Sequence, residues 1–165
     1  MALITSVPPT GQSFNGIYEW TPTVDTNALA AGDIAAVTEE LNEFFIRPGG
    51  GAYIIGLTLI SKTDTAPELD FYLFETNVSL GTLNSVPSIT DANALKLVQK
   101  INVATTAWED LGGCQVASLS TSDFGVRYLQ AASGSRDVFG AIVTGTAMTF
   151  GSASDLVVKL ALEFR

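Results

Sequence analysis

From Leu156 to Phe164 the chain alternates without a break. Leu156, Val158, Leu160, Leu162 and Phe164 interleave with Val157, Lys159, Ala161 and Glu163. A period of two places one set on a buried face and the other on a wetter face, so the segment predicts a β-strand. Apolar runs of similar length recur between turn signals. Tyr53 to Ile60 is closed by Lys62-Thr63-Asp64, Leu69 to Phe74 by a loop with Asn77, Gly81 and Pro87, and further runs cover 95–103, 115–119, 124–130 and 138–144. The 15 Gly and 6 Pro leave no room for long helices. About eight strands at this spacing predict an all-β fold, a single antiparallel β-sandwich or barrel.

The first 30 residues read differently. Pro8-Pro9, Pro22, Gly11 and Gly16 forbid a helix, and the expectation is an extended N-terminal arm over 1–30 joined to a β domain over 31–165. Phe14, Ile17, Tyr18 and Trp20 bring large apolar surface to this arm. Burying one such ring is worth roughly 1.5–3 kcal/mol, so they cover either their own domain or a partner, and partner contact is the expectation. Ala36 to Phe45 fits a short helix, with Val37, Leu41 and Phe44 at helical spacing, or two β segments broken by Glu39-Glu40. Thr90 or Asp91 is placed to cap one helical turn.

Composition excludes whole classes of chemistry. The 165 residues contain no histidine, which removes Ser-His-Asp and Cys-His nucleophiles and every His-ligated metal site. The single cysteine, Cys114, has no partner for an internal disulfide or a CxxC pair and is expected as a small buried hydrophobe. A net charge of −9 opposes both a nucleic-acid backbone and an anionic membrane. No run approaches the length of a transmembrane helix, and Met1-Ala2-Leu3-Ile4 lacks a basic leader region, so no membrane span or secretory signal is expected. Charge is also uneven: before Arg47 there is no base, while Glu19, Asp25, Asp33, Glu39, Glu40 and Glu43 contribute −6. These carboxylates are either a solvated face or an arm that meets a basic surface.

Each candidate for local chemistry has a plainer reading. Arg47-Pro48-Gly49-Gly50-Gly51 lacks the GK[ST] of a phosphate loop and precedes a strand, so it is a turn. Glu68/Asp70, Glu109/Asp110 and Glu39/Glu43 are the nearest carboxylate pairs for glycoside hydrolysis, without a distinctive motif. Asp64, Asp91 and Asp123 fall in loops, but no run has the oxygen-ligand pattern of a calcium loop. Asn77-Val78-Ser79 matches a glycosylation pattern that is common by chance. Met148 and Phe150, between Gly145 and Gly151, either fold back on the core or form an exposed contact loop. No catalytic residue, metal ligand or cofactor site emerges, and the chain reads as a non-enzymatic binding or assembly protein.

Several motifs occur in a telling order: Leu57-Thr58-Leu59 with Lys62, Asp70-Phe71-Tyr72-Leu73-Phe74, Asn77 and Ile89-Thr90-Asp91-Ala92. Val138-Phe139-Gly140-Ala141-Ile142-Val143 and Ser152-Ala153-Ser154-Asp155-Leu156-Val157-Val158-Lys159-Leu160 follow. Over about two thirds of the chain this series resembles the jelly-roll capsid decoration (cement) proteins of tailed bacteriophages. The resemblance implies a jelly-roll sandwich that trimerises and binds the phage major capsid protein at junctions between capsomers. It places the protein on the outer surface of the virion, after synthesis in the host cytoplasm, with no catalytic residue or small-molecule substrate. The stretch before residue 50 has no counterpart in that pattern. A carbohydrate-binding or host-recognition module of a phage head or tail fibre is the alternative, with Trp20, Trp108 and Tyr128 as its stacking residues.

Overall fold

The computed structural model describes residues 14–164. They form ten strands: β1 (Phe14–Trp20), β2 (Ile34–Leu41), β3 (Gly51–Ser61), β4 (Leu69–Phe74), β5 (Leu97–Val103), β6 (Trp108–Asp110), β7 (Gln115–Ser120), β8 (Arg127–Gln130), β9 (Val138–Thr144) and β10 (Leu156–Phe164). One antiparallel sheet has the order β1-β10-β3-β7-β6, with β8 pairing β3 beyond the end of β7; the other has the order β2-β9-β4-β5. The chain crosses between sheets after β1, β2, β3, β5, β8 and β9, so apart from β4–β5 and β6–β7 the paired neighbours are not consecutive in sequence. This interleaving is a jelly roll, the double-sheet arrangement expected from the resemblance.

The alternation that marked β10 supplies the sandwich core. Leu156, Val158, Leu160, Leu162 and Phe164 are buried, and they meet Ile54, Leu57 and Leu59 of β3 and Leu69, Phe71 and Leu73 of β4 in one cluster. Between the sheets, Trp20, Leu57, Phe71, Leu73, Ile101, Val158 and Leu160 surround a void of about 10 Å³. An apolar void at that limit of size stays dry and admits no ligand.

A second cluster lies outside the β2-β9-β4-β5 sheet. The long β4–β5 connection folds back so that Val78 and Leu80 bury against Ile34, Phe74, Ala141 and Val143, with Tyr72, Ile89 and Phe139 at the rim. Backbone bonds from Ile34 N to Ser85 O (2.9 Å) and from Asn84 N to Ile34 O (3.0 Å) pin the connection to β2. That sheet is therefore covered on both faces.

Local chemistry decided three places where the sequence was open or misleading. Residues 34–41 are a strand, not a helix, because Leu41 and the fully buried Phe44 and Phe45 enter the inter-sheet core around a turn with Glu43 at φ 54°. The strand expected over 124–130 is shortened by a helical turn, Thr121–Phe124. Ser120 and Asp123 form a capping box there, and Gly125 at φ 75° ends it. The turn expected near Thr90 is present as Asp91–Ala94, with the Thr90 side chain accepting from Asn93 N.

The turn before β10 is held by Asp155. Its carboxylate accepts from the Thr63 hydroxyl, from Ser152 N (2.8 Å) and from Ser152 Oγ (2.7 Å). Burial pushes this carboxyl up, but the hydrogen bonds from Thr63 and Ser152 outweigh it and hold the group below the usual carboxylate range.

Candidate binding surfaces

The arm residues are the first candidates, and β1 separates them by its own alternation. It pairs antiparallel with β10, from Phe14 opposite Phe164 to Trp20 opposite Val158. Ile17 points outward and is 61% exposed, whereas Tyr18 and Trp20 are buried in the main core. The Phe14 side chain and residues 1–13 lie outside the described residues.

The expectation that Tyr18 and Trp20 reach a partner is corrected by this placement. Trp20 Nε1 donates to Glu39 Oε2 at 2.9 Å, and Glu39 Oε1 accepts from Thr23 N at 2.8 Å. One carboxylate thus ties the end of β1 to β2 across the seam between sheets. The Trp20 ring lies so close to Gly140 that an added Cβ there would stand 3.0 Å from it. Tyr18 donates its hydroxyl to Asn42 O at 3.1 Å, and its ring centroid lies 4.8 Å from that of Phe44. Burial, then the carboxylates of Asp137 and Glu40, push the Tyr18 phenol up to about 12. The segment from residue 14 to residue 30 is therefore part of the sandwich, and the arm boundary expected at 30 falls inside it.

Met148 and Phe150 take the fold-back alternative. Phe150 is fully buried, Met148 packs against the core, and Met148 exchanges backbone hydrogen bonds with Leu29 (2.8 and 3.1 Å). The contact role expected for this loop is thereby lost: its apolar side chains are spent on this chain.

The carboxylate pairs have local partners. Asp70 binds Lys100 (2.8 Å) and accepts from Asn102 (3.0 Å), and Glu68 also accepts from Asn102 (3.3 Å). The hydrogen bond from Lys100 to Asp70 is the main reason its ammonium titrates above the usual lysine range. Glu39 is held by Trp20, Glu43 pairs with Arg136, and Asp110 accepts from Gly112 N. Asp64 accepts from Gln115, and Asp123 belongs to the capping box. Among the described residues no group of three or more acidic or cysteine side chains gathers in metal-binding geometry.

Of the three aromatics considered for stacking, Trp20 is buried and Trp108 is half-buried with its indole N–H on Pro67 O (2.8 Å). Tyr128 is exposed and lies 5.1 Å from Tyr53, centroid to centroid. Cys114 is half-buried rather than buried, because it sits at the narrow β6–β7 hairpin just after Gly112-Gly113.

Sequence reasoning missed another set of side chains. Leu83, Val86, Leu95 and Leu97 are exposed, the first three within the connection that covers one sheet and the last at the start of β5. The available signal was charge: residues 76–95 contain one charged side chain, Asp91, in a chain of net charge −9. Opposite in character is the β1–β2 side, where Glu19, Glu40 and Glu43 are exposed and the bases present, Lys159 and Arg136, are paired with Glu19 and Glu43.

These features define a jelly-roll sandwich with an acidic side and a β4–β5 connection that is poor in charge. No family model matches the chain, and no curated protein matches it. Among solved structures, a chain of tomato aspermy virus is similar with TM-score 0.37 and 10% identity, covering 98% of this chain and 81% of that one. A chain of the extra small virus particle of the prawn Macrobrachium rosenbergii is similar with TM-score 0.34 and 12% identity, covering 98% and 84%. The K3 cleaved adhesin domain of Lys-gingipain from Porphyromonas gingivalis is similar with TM-score 0.31 and 10% identity, covering 92% and 73%. Scores at this level carry no argument, and the fold assignment rests on the strand order itself.

Proposed function

We propose that this chain is a non-enzymatic structural protein of a virion, which decorates the outer surface of a tailed-phage capsid as a trimeric clamp between capsomers. The observation that carries the reading is where the phage-like motifs fall. Leu57–Leu59 lies in β3, Asp70–Phe74 is most of β4, Thr90–Ala92 starts the capped turn, Val138–Val143 is most of β9, and Ser152–Leu160 is the Asp155 turn with β10. The series is thus one connected frame, the inner strands of both sheets and the turns that fix them.

The physics of a clamp suits such a block. A double-sheet jelly roll limits exposed strand edges and stays a compact block, which disfavours edge-to-edge polymerisation. A protein that binds only the assembled shell stabilises it by linkage, about 2.7 kcal/mol per site at a hundredfold excess over its dissociation constant. Three linked copies gain further through effective concentration. Within this reading the residues up to Phe14, with Ile17, reach a neighbouring subunit or the coat protein.

The test is uptake by shells. Full-length chain is mixed with undecorated, expanded heads of the phage whose genome encodes it, and the heads are pelleted. Binding that saturates at a fixed ratio to coat subunits supports the reading, and chain left in the supernatant at all ratios overturns it. The Tyr53–Tyr128 pair favours one second reading, a carbohydrate-binding module. Glycan-array binding lost in Tyr128→Ala would support that reading instead.

A further inference from the structure

We infer that the outer edge of β1 receives an extended, basic segment of a partner protein, which adds to the sheet as a further strand. The inference goes beyond the capsid reading, because it names the chemistry of the partner segment and does not depend on threefold symmetry.

A strand edge with unpaired N–H and C=O groups is a template for another strand. Most edges of this sandwich are blunted. β6 and β8 are three and four residues long. β2 loses register with β9 twice, and its far side bonds Asp25 N to Ala35 O (2.8 Å) and Asn84 N to Ile34 O (3.0 Å). β5 loses register with β4 once and carries Lys100. β1 has none of these devices. Its seven residues run in unbroken register on β10 and contain no proline or lysine. Among the described residues, no strand or loop bonds to the backbone of its other side. Ile17, 61% exposed, stands at its centre.

Charge selects the occupant. β2 lies across the seam from β1, where Tyr18 reaches Asn42 O and Trp20 reaches Glu39. A strand laid about 4.8 Å outside β1 points alternate side chains toward that seam and the others toward the face of Ile17. The seam carries Glu39, Glu40, Glu43 and Asp137. Glu43 N donates to Asp137 Oδ1 at 2.8 Å, and the carboxylates of Asp137 and Glu40 stand near enough to act on the Tyr18 hydroxyl. Among the described residues one base, Arg136, pairs with this set, through Glu43. The local field is therefore negative. A segment with lysine or arginine toward the seam and apolar residues beside Ile17 complements it. A second copy of a chain of net charge −9 brings the wrong sign.

The probe is a synthetic peptide of about ten residues, alternating lysine and valine with blocked ends, titrated against the full chain. Peptide fluorescence anisotropy and amide hydrogen exchange of the chain are read together. The expected result is saturable binding that slows exchange in residues 14–20. Glu40→Lys, and separately about 0.5 M salt, should each weaken it about tenfold. Glutamate in place of lysine, or N-methylation of the peptide backbone, should abolish it. Glu40 is exposed, and thermal melting checks that the variant is folded; Glu43→Gln replaces it if it melts early. Absence of binding, binding without slowed exchange in β1, or binding that survives N-methylation overturns the inference. So does an edge already taken in the free chain. Protection of β1 that rises with chain concentration assigns the edge to a second copy, and protection lost on deleting residues 1–13 assigns it to the chain's own N-terminus. None of these results bears on the capsid reading, which uptake by heads decides separately.

Discussion

Three single side chains fasten this sandwich, and each has a measurable consequence. Trp20 fills the seam between the sheets and is fastened by Glu39. Trp20→Ala leaves a cavity and removes the donor to Glu39 Oε2, so it is expected to cost about 3–5 kcal/mol, measured by urea unfolding. Asp155 gives a pH signature. Its pKa is lower in the folded chain than in the unfolded one, so its contribution is present above the unfolded value and fades as pH falls through the folded value. Asp155→Asn is expected to lose about 1.5–3 kcal/mol at about pH 7, and the gap to wild type should narrow at about pH 3. A gap independent of pH would show that the carboxylate charge is not what holds the turn. Tyr18 has the opposite sign: its phenol is raised to about 12, so its contribution is intact below the unfolded value near 10 and is lost as pH rises toward 12. Tyr18→Phe should remove the last step of the alkaline tyrosinate absorbance titration.

At the scale of elements, β1 changes what the N-terminal region is. A segment with Pro8-Pro9, Gly11, Gly16 and Pro22 reads as an arm, yet its middle is a seven-residue edge strand zipped to β10. Deleting residues 1–26 therefore removes a ladder and two buried aromatics, and an early thermal transition is expected, not a folded domain with a missing arm. A melting temperature unchanged by that deletion would show that β1 is dispensable to the core. The deletion that tests capsid contact by the arm is the shorter one, residues 1–13. The β4–β5 connection teaches the converse lesson. Its lack of charge was visible, but its use as a lid over one sheet depends on Val78, Leu80 and Ile89 finding Phe74, Ala141 and Val143, contacts that no local pattern announces.

For the whole molecule the expected solution species has a mass of about 52 kDa, three times the chain mass of 17.3 kDa. Light scattering checks this directly, and a stable species of another multiple would replace threefold symmetry with that one. The alternation of β10, the apolar runs of β3, β4 and β9, and the glycine and proline punctuation were enough to establish an all-β sandwich. They suffice because the period of a strand is a property of neighbouring residues, set by backbone geometry alone. Outside that alternation, the tertiary structure decided which side an apolar residue faces. Tyr18, Trp20, Met148 and Phe150 suited a partner as well as a core, and Leu83, Val86 and Leu95 suited a core as well as a surface, because hydrophobic burial has no direction of its own. The register of β1 on β10 and the reach of the β4–β5 connection settled those choices, through pairings between residues far apart in the chain.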